Sequence, residues 1–145
     1  MARRMQVAVD CVDPFGLARF WTKVLGYQEE PPPTGYQSWR EFSVATGARD
    51  GEPDARWIAL IDPDNVGPRL LFHSVRHPKL TKNRLHLDIQ VGGEPGTPIE
   101  LRRPAVDAEV ARLIEIGAKH LRTVEDQTDY YAVMQDPDGN EFCLC

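Results

Sequence analysis

The sequence predicts an α+β protein in which two successive βαβββ halves share 145 residues. Two observations support this fold class. Each half opens with a segment of strict polar and apolar alternation, which is followed by an amphipathic helical stretch that ends at a glycine. In addition, the segment Trp57–Asp64 is echoed by Tyr131–Asp138, down to the Asp-Pro-Asp that closes both. Repetition of the same plan in the same order indicates an internal duplication.

The first half begins with Met5–Cys11, whose alternation predicts a strand with Gln6, Ala8 and Asp10 on its polar face. Asp13 and Pro14 are typical of a helix start, and the helix is predicted to end at Gly26. Turn-forming clusters separate three further segments that are predicted to be strands. These segments are Ser38–Ala45, Arg56–Ile61 and Arg69–Val75.

The second half opens with Arg84–Val91, the clearest alternation in the chain. It predicts a strand with Leu85, Leu87 and Ile89 on one face and polar side chains on the other. A turn-rich insertion leads to a helix that contains Val106 and Leu113 and is expected to stop at Gly117. Three more strands are predicted, the last two joined by an Asp-Pro-Asp-Gly turn. They are Leu121–Val124, Tyr130–Met134 and Glu141–Leu144.

Composition and charge fit one ordinary globular domain spanning residues 1–145, with module one at about 4–76 and module two at about 83–145. The formal net charge of −5 does not favour nucleic acid as a partner. No segment approaches the roughly 18 apolar residues of a membrane span, and the N-terminus lacks a signal-peptide apolar region. We therefore expect a cytoplasmic protein, monomer or homodimer, with no membrane partner.

The three cysteines, Cys11, Cys143 and Cys145, form no CxxC pair and leave an odd thiol, so reduced and mostly buried cysteines are expected. The chain also lacks a GxSxG motif, a P-loop and a GxGxxG followed by a helix. Nucleophilic hydrolysis and nucleotide binding therefore have no support.

Four segments of the chain resemble the vicinal oxygen chelate superfamily of glyoxalase, bleomycin-resistance and extradiol dioxygenase domains. The segments are Val9–Tyr27, Lys82–Asp88, Ile116–Ala118 and Asp136–Leu144. The resemblance covers essentially the whole chain and is strongest to compact glyoxalase-like domains, in which a run like Pro78–Asp88 opens the second half. It implies that the two modules form a cupped mixed sheet, with helices on the outer face and a divalent metal on the concave face.

The resemblance also implies the metal ligands, because the superfamily takes them from the first and last strands of each module. Carried over, these positions are Gln6, His86 and Glu141, and Glu141 would double as a catalytic residue. The metal would be Fe, Ni, Mn or Zn, held with modest affinity because an amide is a weak ligand. The fourth position falls within Arg69–His73, where the strand register decides between Leu71 and His73.

Five further residues are candidate substrate contacts, each with a structural alternative. Arg84 and Asp88 could orient an oxygenated ligand or pair with each other. His73 could be the fourth metal ligand or a polar wall residue. Trp57 and Tyr131 could be apolar wall residues of the cavity or part of the core.

Together these features favour a glyoxalase-like, metal-dependent enzyme acting on a small oxygenated molecule by lyase, isomerase or dioxygenase chemistry. The alternative is a metal-free protein that binds a small molecule or antibiotic, in the manner of the bleomycin-resistance members. Metal content separates the two hypotheses.

Overall fold

The computed structural model describes residues 4–46, 56–94, 96–126 and 129–145. The chain forms two compact units, a first unit up to Pro78 and a second unit from Lys79 onward. Each unit contains one four-stranded mixed sheet and a long helix that packs on it. The predicted α+β fold with two βαβββ halves is therefore confirmed.

The first unit has the sheet order β1-β4-β3-β2, in which β1 runs parallel to β4 and the other pairs are antiparallel. Its elements are β1 (Gln6–Cys11), α1 (Pro14–Leu25), β2 (Gln28–Glu29), α2 (Trp39–Thr46), β3 (Trp57–Ile61) and β4 (Arg69–Ser74).

Alternation along the strands separates a buried face from an open face of this sheet. Helix α1 packs against β3 and β4, where Leu70 and Phe72 are fully buried. Burying such side chains contributes roughly 1.5–3 kcal/mol each. The residues between them point to the opposite side, which we call the open face because α1 does not cover it. On β4 and β1 it carries Arg69, Leu71, His73, Gln6, Ala8 and Asp10.

The prediction of a strand at Ser38–Ala45 is wrong, because this segment forms helix α2. The Ser38 hydroxyl accepts a hydrogen bond from the Glu41 amide at 3.1 Å, and the Glu41 carboxylate accepts one from the Gln37 amide. This resembles a capping box, with the carboxylate bonded to the amide one residue before the Ser38 N-cap, and its Ser-x-x-Glu signature is visible in the sequence. The strand that completes the first βαβββ half is instead the two-residue β2.

The second unit repeats the arrangement with the sheet order β5-β8-β7-β6, and β5 runs parallel to β8. Its elements are β5 (Asp88–Ile89), α3 (Ile99–Glu115), β6 (Lys119–Glu125), β7 (Tyr130–Gln135) and β8 (Glu141–Leu144).

Helix α3 packs on β7 and β8 to form the core of the second unit. Its fully buried side chains are Val106, Leu113, Ala132, Met134 and Leu144. Buried Tyr130 ties strand to helix, because its hydroxyl donates a 2.6 Å hydrogen bond to the Asp107 carboxylate. This contact, together with burial, raises the pKa of Tyr130. The face of the sheet away from α3 is the open face of the second unit.

The strand predicted at Arg84–Val91 is largely wrong, because only Asp88 and Ile89 pair with β8. Strand β5 lies at the edge of its sheet, where it pairs with β8. Before Leu87 the backbone leaves the ladder, and the Glu141 side chain binds the Asn83 amide. Leu85, predicted to face the core, is consequently 87% exposed.

The two long helices end where the glycines predict. Gly26 caps α1 in the left-handed conformation with φ of 70°, and Gly117 follows α3 with φ of 109°. Glycine adopts these angles without the steric cost that a Cβ atom imposes. Within the described residues, no helix combines the length and the apolar character needed to cross a membrane.

Strand registers show that the two halves are built on the same frame. Leu71 pairs with Ala59 and Ala8 in the first unit, and Cys143 pairs with Val133 and Asp88 in the second. The loop between β3 and β4 is two residues longer than the loop between β7 and β8. Counting along each strand then makes Gln6 equivalent to His86, Ala8 to Asp88 and Arg69 to Glu141.

Candidate functional site

The open face of the second unit forms a pocket with a volume of about 340 Å³. This volume suits a small organic molecule. Strands β6, β7 and β8 form its floor, and the segment leading into β5 forms one wall. Side chains that line it include Lys82, His86, Asp88, Arg122, Tyr131 and Glu141. Four of these six, namely His86, Asp88, Tyr131 and Glu141, are residues that the sequence predicts to be functional.

His86 and Asp88 form a close pair at the mouth of this pocket. The His86 Nδ1 atom lies 2.8 Å from Asp88 Oδ1, and the two side chains are 44% and 50% exposed. They are near each other because residues i and i+2 of an extended segment project to the same side. Of the two alternatives for Arg84 and Asp88, mutual pairing is not seen in the described residues, since Asp88 pairs with His86 and Arg84 is exposed outside the pocket lining.

Cys143 lies beneath this pair and is almost fully buried. Its Sγ atom is 3.9 Å from His86 Nδ1. Burial raises the pKa of the Cys143 thiol to about 11, and the nearby Asp88 carboxylate adds to the effect. From the sequence, Cys143 is expected only to be a small buried residue. Its alternation with Phe142 and Leu144, which face the helix, is the signal that places it on the open face.

Glu141 is held by contacts to both of its carboxylate oxygens. The Lys79 ammonium lies 3.2 Å from Oε1 and 3.1 Å from Oε2, and the Asn83 amide donates to Oε2 at 2.9 Å. Burial acts to raise the pKa of Glu141, but the Asn83 amide and the Lys79 ammonium outweigh it and hold the pKa below its ordinary value. Glu141 thereby fastens the segment that precedes β5 to strand β8.

In the first unit, Arg69 occupies the position that is equivalent to Glu141. Its guanidinium donates to the Gln6 Oε1 atom and also forms an ion pair with Glu30, with Nε 2.9 Å from Oε1. The backbone of Glu30 is held in place as well. Its amide donates a hydrogen bond to the Ala59 carbonyl, and its carbonyl accepts one from the Trp39 indole. The register therefore corrects the expectation that Leu71 or His73 fills the fourth ligand position.

Within each unit, the contacts of the ligand residues implied by the resemblance oppose binding of a divalent metal. Gln6 would ligate a metal through Oε1, but this atom accepts a hydrogen bond from Arg69. The fourth ligand position is itself occupied by the positively charged Arg69 side chain. Both oxygens of Glu141 are engaged by Lys79 and Asn83. Positive groups placed on the candidate oxygens oppose the approach of a cation. Among the described residues, the convergent group of His, Cys, Asp or Glu side chains that could hold a metal contains His86 but not Glu141.

The remaining predicted residues of the first unit lie together on its open face. Trp57 pairs with His73 across β3 and β4, and its ring packs against Trp39 of α2 with centroids 5.1 Å apart. His73 Nδ1 lies 4.0 Å from Asp10 Oδ1, and both side chains are well exposed. Trp57 therefore belongs to an aromatic group on this face, with Trp39, Phe42 and Tyr36.

Comparison with known proteins gives the fold a family. The sequence model of the glyoxalase-like domain family matches residues 6–145 of the chain. No curated protein matches the chain.

Solved structures with the same fold are similar over nearly their whole length. A glyoxalase/bleomycin resistance protein/dioxygenase family enzyme from Burkholderia phytofirmans is 19% identical, with a TM-score of 0.58 and coverage of 96% of this chain and 94% of that one. A glyoxylase/bleomycin resistance protein/dioxygenase domain from Frankia is 16% identical, with a TM-score of 0.58 and coverage of 99% and 94%.

A third similar structure contains a metal. It is a variant of the fosfomycin resistance protein FosX from Listeria monocytogenes, complexed with Mn(II) and 1S,2S-dihydroxypropylphosphonic acid. It is 12% identical, with a TM-score of 0.63 and coverage of 99% of this chain and 89% of that one. At such identities these structures share the fold alone. The match over residues 6–145 and the duplicated βαβββ frame establish that the chain belongs to the glyoxalase-like domain family of the vicinal oxygen chelate superfamily.

Proposed function

We propose that this protein binds a small oxygenated anion in the pocket of the second unit. The observation that carries the proposal is the balance of charge along the pocket wall. Two lining carboxylates have cationic partners, since Glu141 pairs with Lys79 and Asp129 with Arg102, and the third, Asp88, lies 2.8 Å from the His86 imidazole. In the part of the chain that the structure describes, the lining cations Lys82 and Arg122 have no ion-pair partner.

An anion that enters the pocket therefore meets two uncompensated positive charges. A carboxylate or phosphonate oxygen accepts charge-assisted hydrogen bonds from such groups, and a guanidinium can contact two oxygens at once. Tyr131 and Val133 supply apolar wall beside these cations. The phosphonate in the FosX complex is a ligand of this chemical class, which supports the choice of probe. Free cysteines support a cytoplasmic location for the protein.

Isothermal titration with methylphosphonate and with lactate tests this proposal on the intact chain. Arg122→Gln and Lys82→Gln should each weaken binding by about tenfold, since a charge-assisted hydrogen bond contributes roughly 1.5–3 kcal/mol. Lys119→Gln is the matched control, because Lys119 is an exposed cation on the same strand as Arg122 and does not line the pocket. Absence of binding by either anion, or equal weakening by the control, would refute the proposal.

A second candidate function is metal-dependent catalysis on such a molecule, as a lyase, isomerase or dioxygenase. The observation that favours it is the convergence of three potential ligand atoms in this pocket, from His86, Asp88 and Cys143. A bound divalent metal would polarise substrate oxygens. The test is metal content of protein purified without chelator, followed by turnover of 1,2-dioxygenated substrates before and after chelation. Turnover that survives complete removal of metal would contradict this candidate.

A further inference from the structure

The second unit contains a group of three chemically different ligand atoms that the family-based ligand set does not include. One nitrogen of His86, one oxygen of Asp88 and the sulfur of Cys143 all lie within 4.8 Å of one another. They come from the segment around β5 and from β8, which are adjacent strands of one sheet. The three atoms therefore converge within a single unit.

The separations are close to those that a small metal ion needs. Ideal tetrahedral zinc with standard bond lengths places nitrogen about 3.3 Å from oxygen and about 3.6 Å from sulfur. The corresponding distances here are 2.8 Å and 3.9 Å. Shifts of about half an ångström or less at exposed His86 and Asp88 would bring these two distances into range.

The donor set determines which cation fits. A thiolate and an imidazole favour Zn²⁺ and similar ions, whereas Mg²⁺ and Mn²⁺ prefer sites made of oxygen ligands. Three protein ligands leave one tetrahedral position open, and here it would face the pocket. Metal binding releases the thiol proton, since the cation replaces it on sulfur.

The first unit provides an internal comparison on the same frame. The positions equivalent to His86, Asp88 and Cys143 hold Gln6, Ala8 and Leu71. The last two have no metal-ligating side chain, and Gln6 is bound to Arg69. The duplicated frame itself therefore does not require ligating side chains at these positions.

We infer that His86, Asp88 and Cys143 form a binding site for a thiophilic divalent cation of the Zn²⁺ class. The inference goes beyond the proposed anion binding and is tested without any anion, so either can fail alone. If metal-dependent catalysis is correct, this site would supply its metal.

Titration of the metal-free chain with Co²⁺, followed by displacement with Zn²⁺, is the decisive experiment. We expect one Co²⁺ per chain with a strong thiolate-to-cobalt absorption band that Zn²⁺ abolishes and Mn²⁺ does not. Cys143→Ser should remove the band and weaken Zn²⁺ binding by about tenfold or more. Asp88→Asn, at an exposed position that spares the core, should weaken binding without removing the band.

Two controls separate this site from other arrangements. Cys145→Ser removes a neighbouring thiol that is not among the three convergent atoms, and Glu141→Gln removes the carboxylate of the family-based set. Both should keep the cobalt band, and Cys145→Ser should also keep the zinc affinity. Absence of Co²⁺ binding, binding without a thiolate band, or loss of binding in Glu141→Gln with retention in Cys143→Ser would overturn the inference. Circular dichroism of each variant confirms that it is folded.

Discussion

Replacing Glu141 with glutamine should destabilise the second unit by about 2 kcal/mol at neutral pH. The substitution keeps an acceptor for the Asn83 amide but removes the negative charge that faces the Lys79 ammonium. Both side chains are largely buried, with exposures of 13% for Glu141 and 21% for Lys79. Hydrogen bonds to charged groups contribute roughly 1.5–3 kcal/mol and those between neutral groups roughly 0.5–1.5 kcal/mol. Weakening both contacts therefore costs about 1 kcal/mol each.

The pH dependence of this loss follows from the lowered pKa of Glu141 in the folded protein. A carboxyl group with a depressed folded pKa stabilises the protein above its unfolded value, ordinarily 4.5 here, and the stabilisation is lost as pH falls through the folded pKa. The unfolding free energies of wild type and Glu141→Gln, measured in urea, should differ at pH 7 and converge as pH falls below 4.5 through the folded pKa.

Glu125→Gln is the control for this experiment, because Glu125 forms an exposed ion pair with Arg103. Its effect at pH 7 should stay within about 0.5 kcal/mol, as is usual for surface pairs. Equal stability of Glu141→Gln and wild type at pH 7, or a difference that persists unchanged at low pH, would refute the assigned role of this carboxylate.

Three further substitutions test the packing of the two units by urea unfolding. Tyr130→Phe should lower the free energy of unfolding by about 1 kcal/mol, because the hydrogen bond to Asp107 is lost. Since the pKa of Tyr130 is raised in the folded protein, the wild type should lose this extra stability as pH rises past 10. Extra stability that persists at high pH would contradict this. Leu113→Ala should lower the free energy of unfolding by about 2–5 kcal/mol, because Leu113 is fully buried. Leu101→Ala, on the exposed side of the same helix, should change it by less than about 0.5 kcal/mol. Similar losses in the two variants would argue against the described core. Arg69→Ala should lower the free energy of unfolding by about 1–3 kcal/mol. In a double-mutant cycle with Glu30→Gln, the combined loss should be smaller than the sum of the two single losses by about 1 kcal/mol. Strict additivity would show that the ion pair does not contribute to stability.

Local periodicity is enough to predict the elements that bury one clear face. Strand β1, helix α1 and the paired strands β7 and β8 appear where alternation and helix signals place them. The same reasoning fails at Ser38–Ala45, where scattered aromatic and β-branched side chains suggest a strand but the capping box starts a helix. A hydrogen-bonding signal at the helix start outweighs strand propensity there.

The candidate site is harder to predict because it depends on register and on contacts between distant residues. The sequence places His86 and Asp88 on one polar face, and they do lie together. It does not reveal that Arg69 is equivalent to Glu141, since that follows from loop lengths that only strand pairing fixes. Nor does it show that Lys79 comes next to Glu141, because the two are separated by 62 positions in the chain.

The aspartates that close the two matching strands give the fold tolerance to insertions. Asp62 accepts hydrogen bonds from the amides of Asp64, Val66 and Gly67, and Asp136 accepts them from Asp138 and Asn140. Each carboxylate binds several amides of its turn and so fixes the turn conformation. The two additional residues of the first turn therefore leave β4 paired with β3 in the register that β8 has with β7. Peptides inserted at the exposed tip of the first turn, beside Asn65, should therefore lengthen a surface turn and leave the open face of the first unit intact.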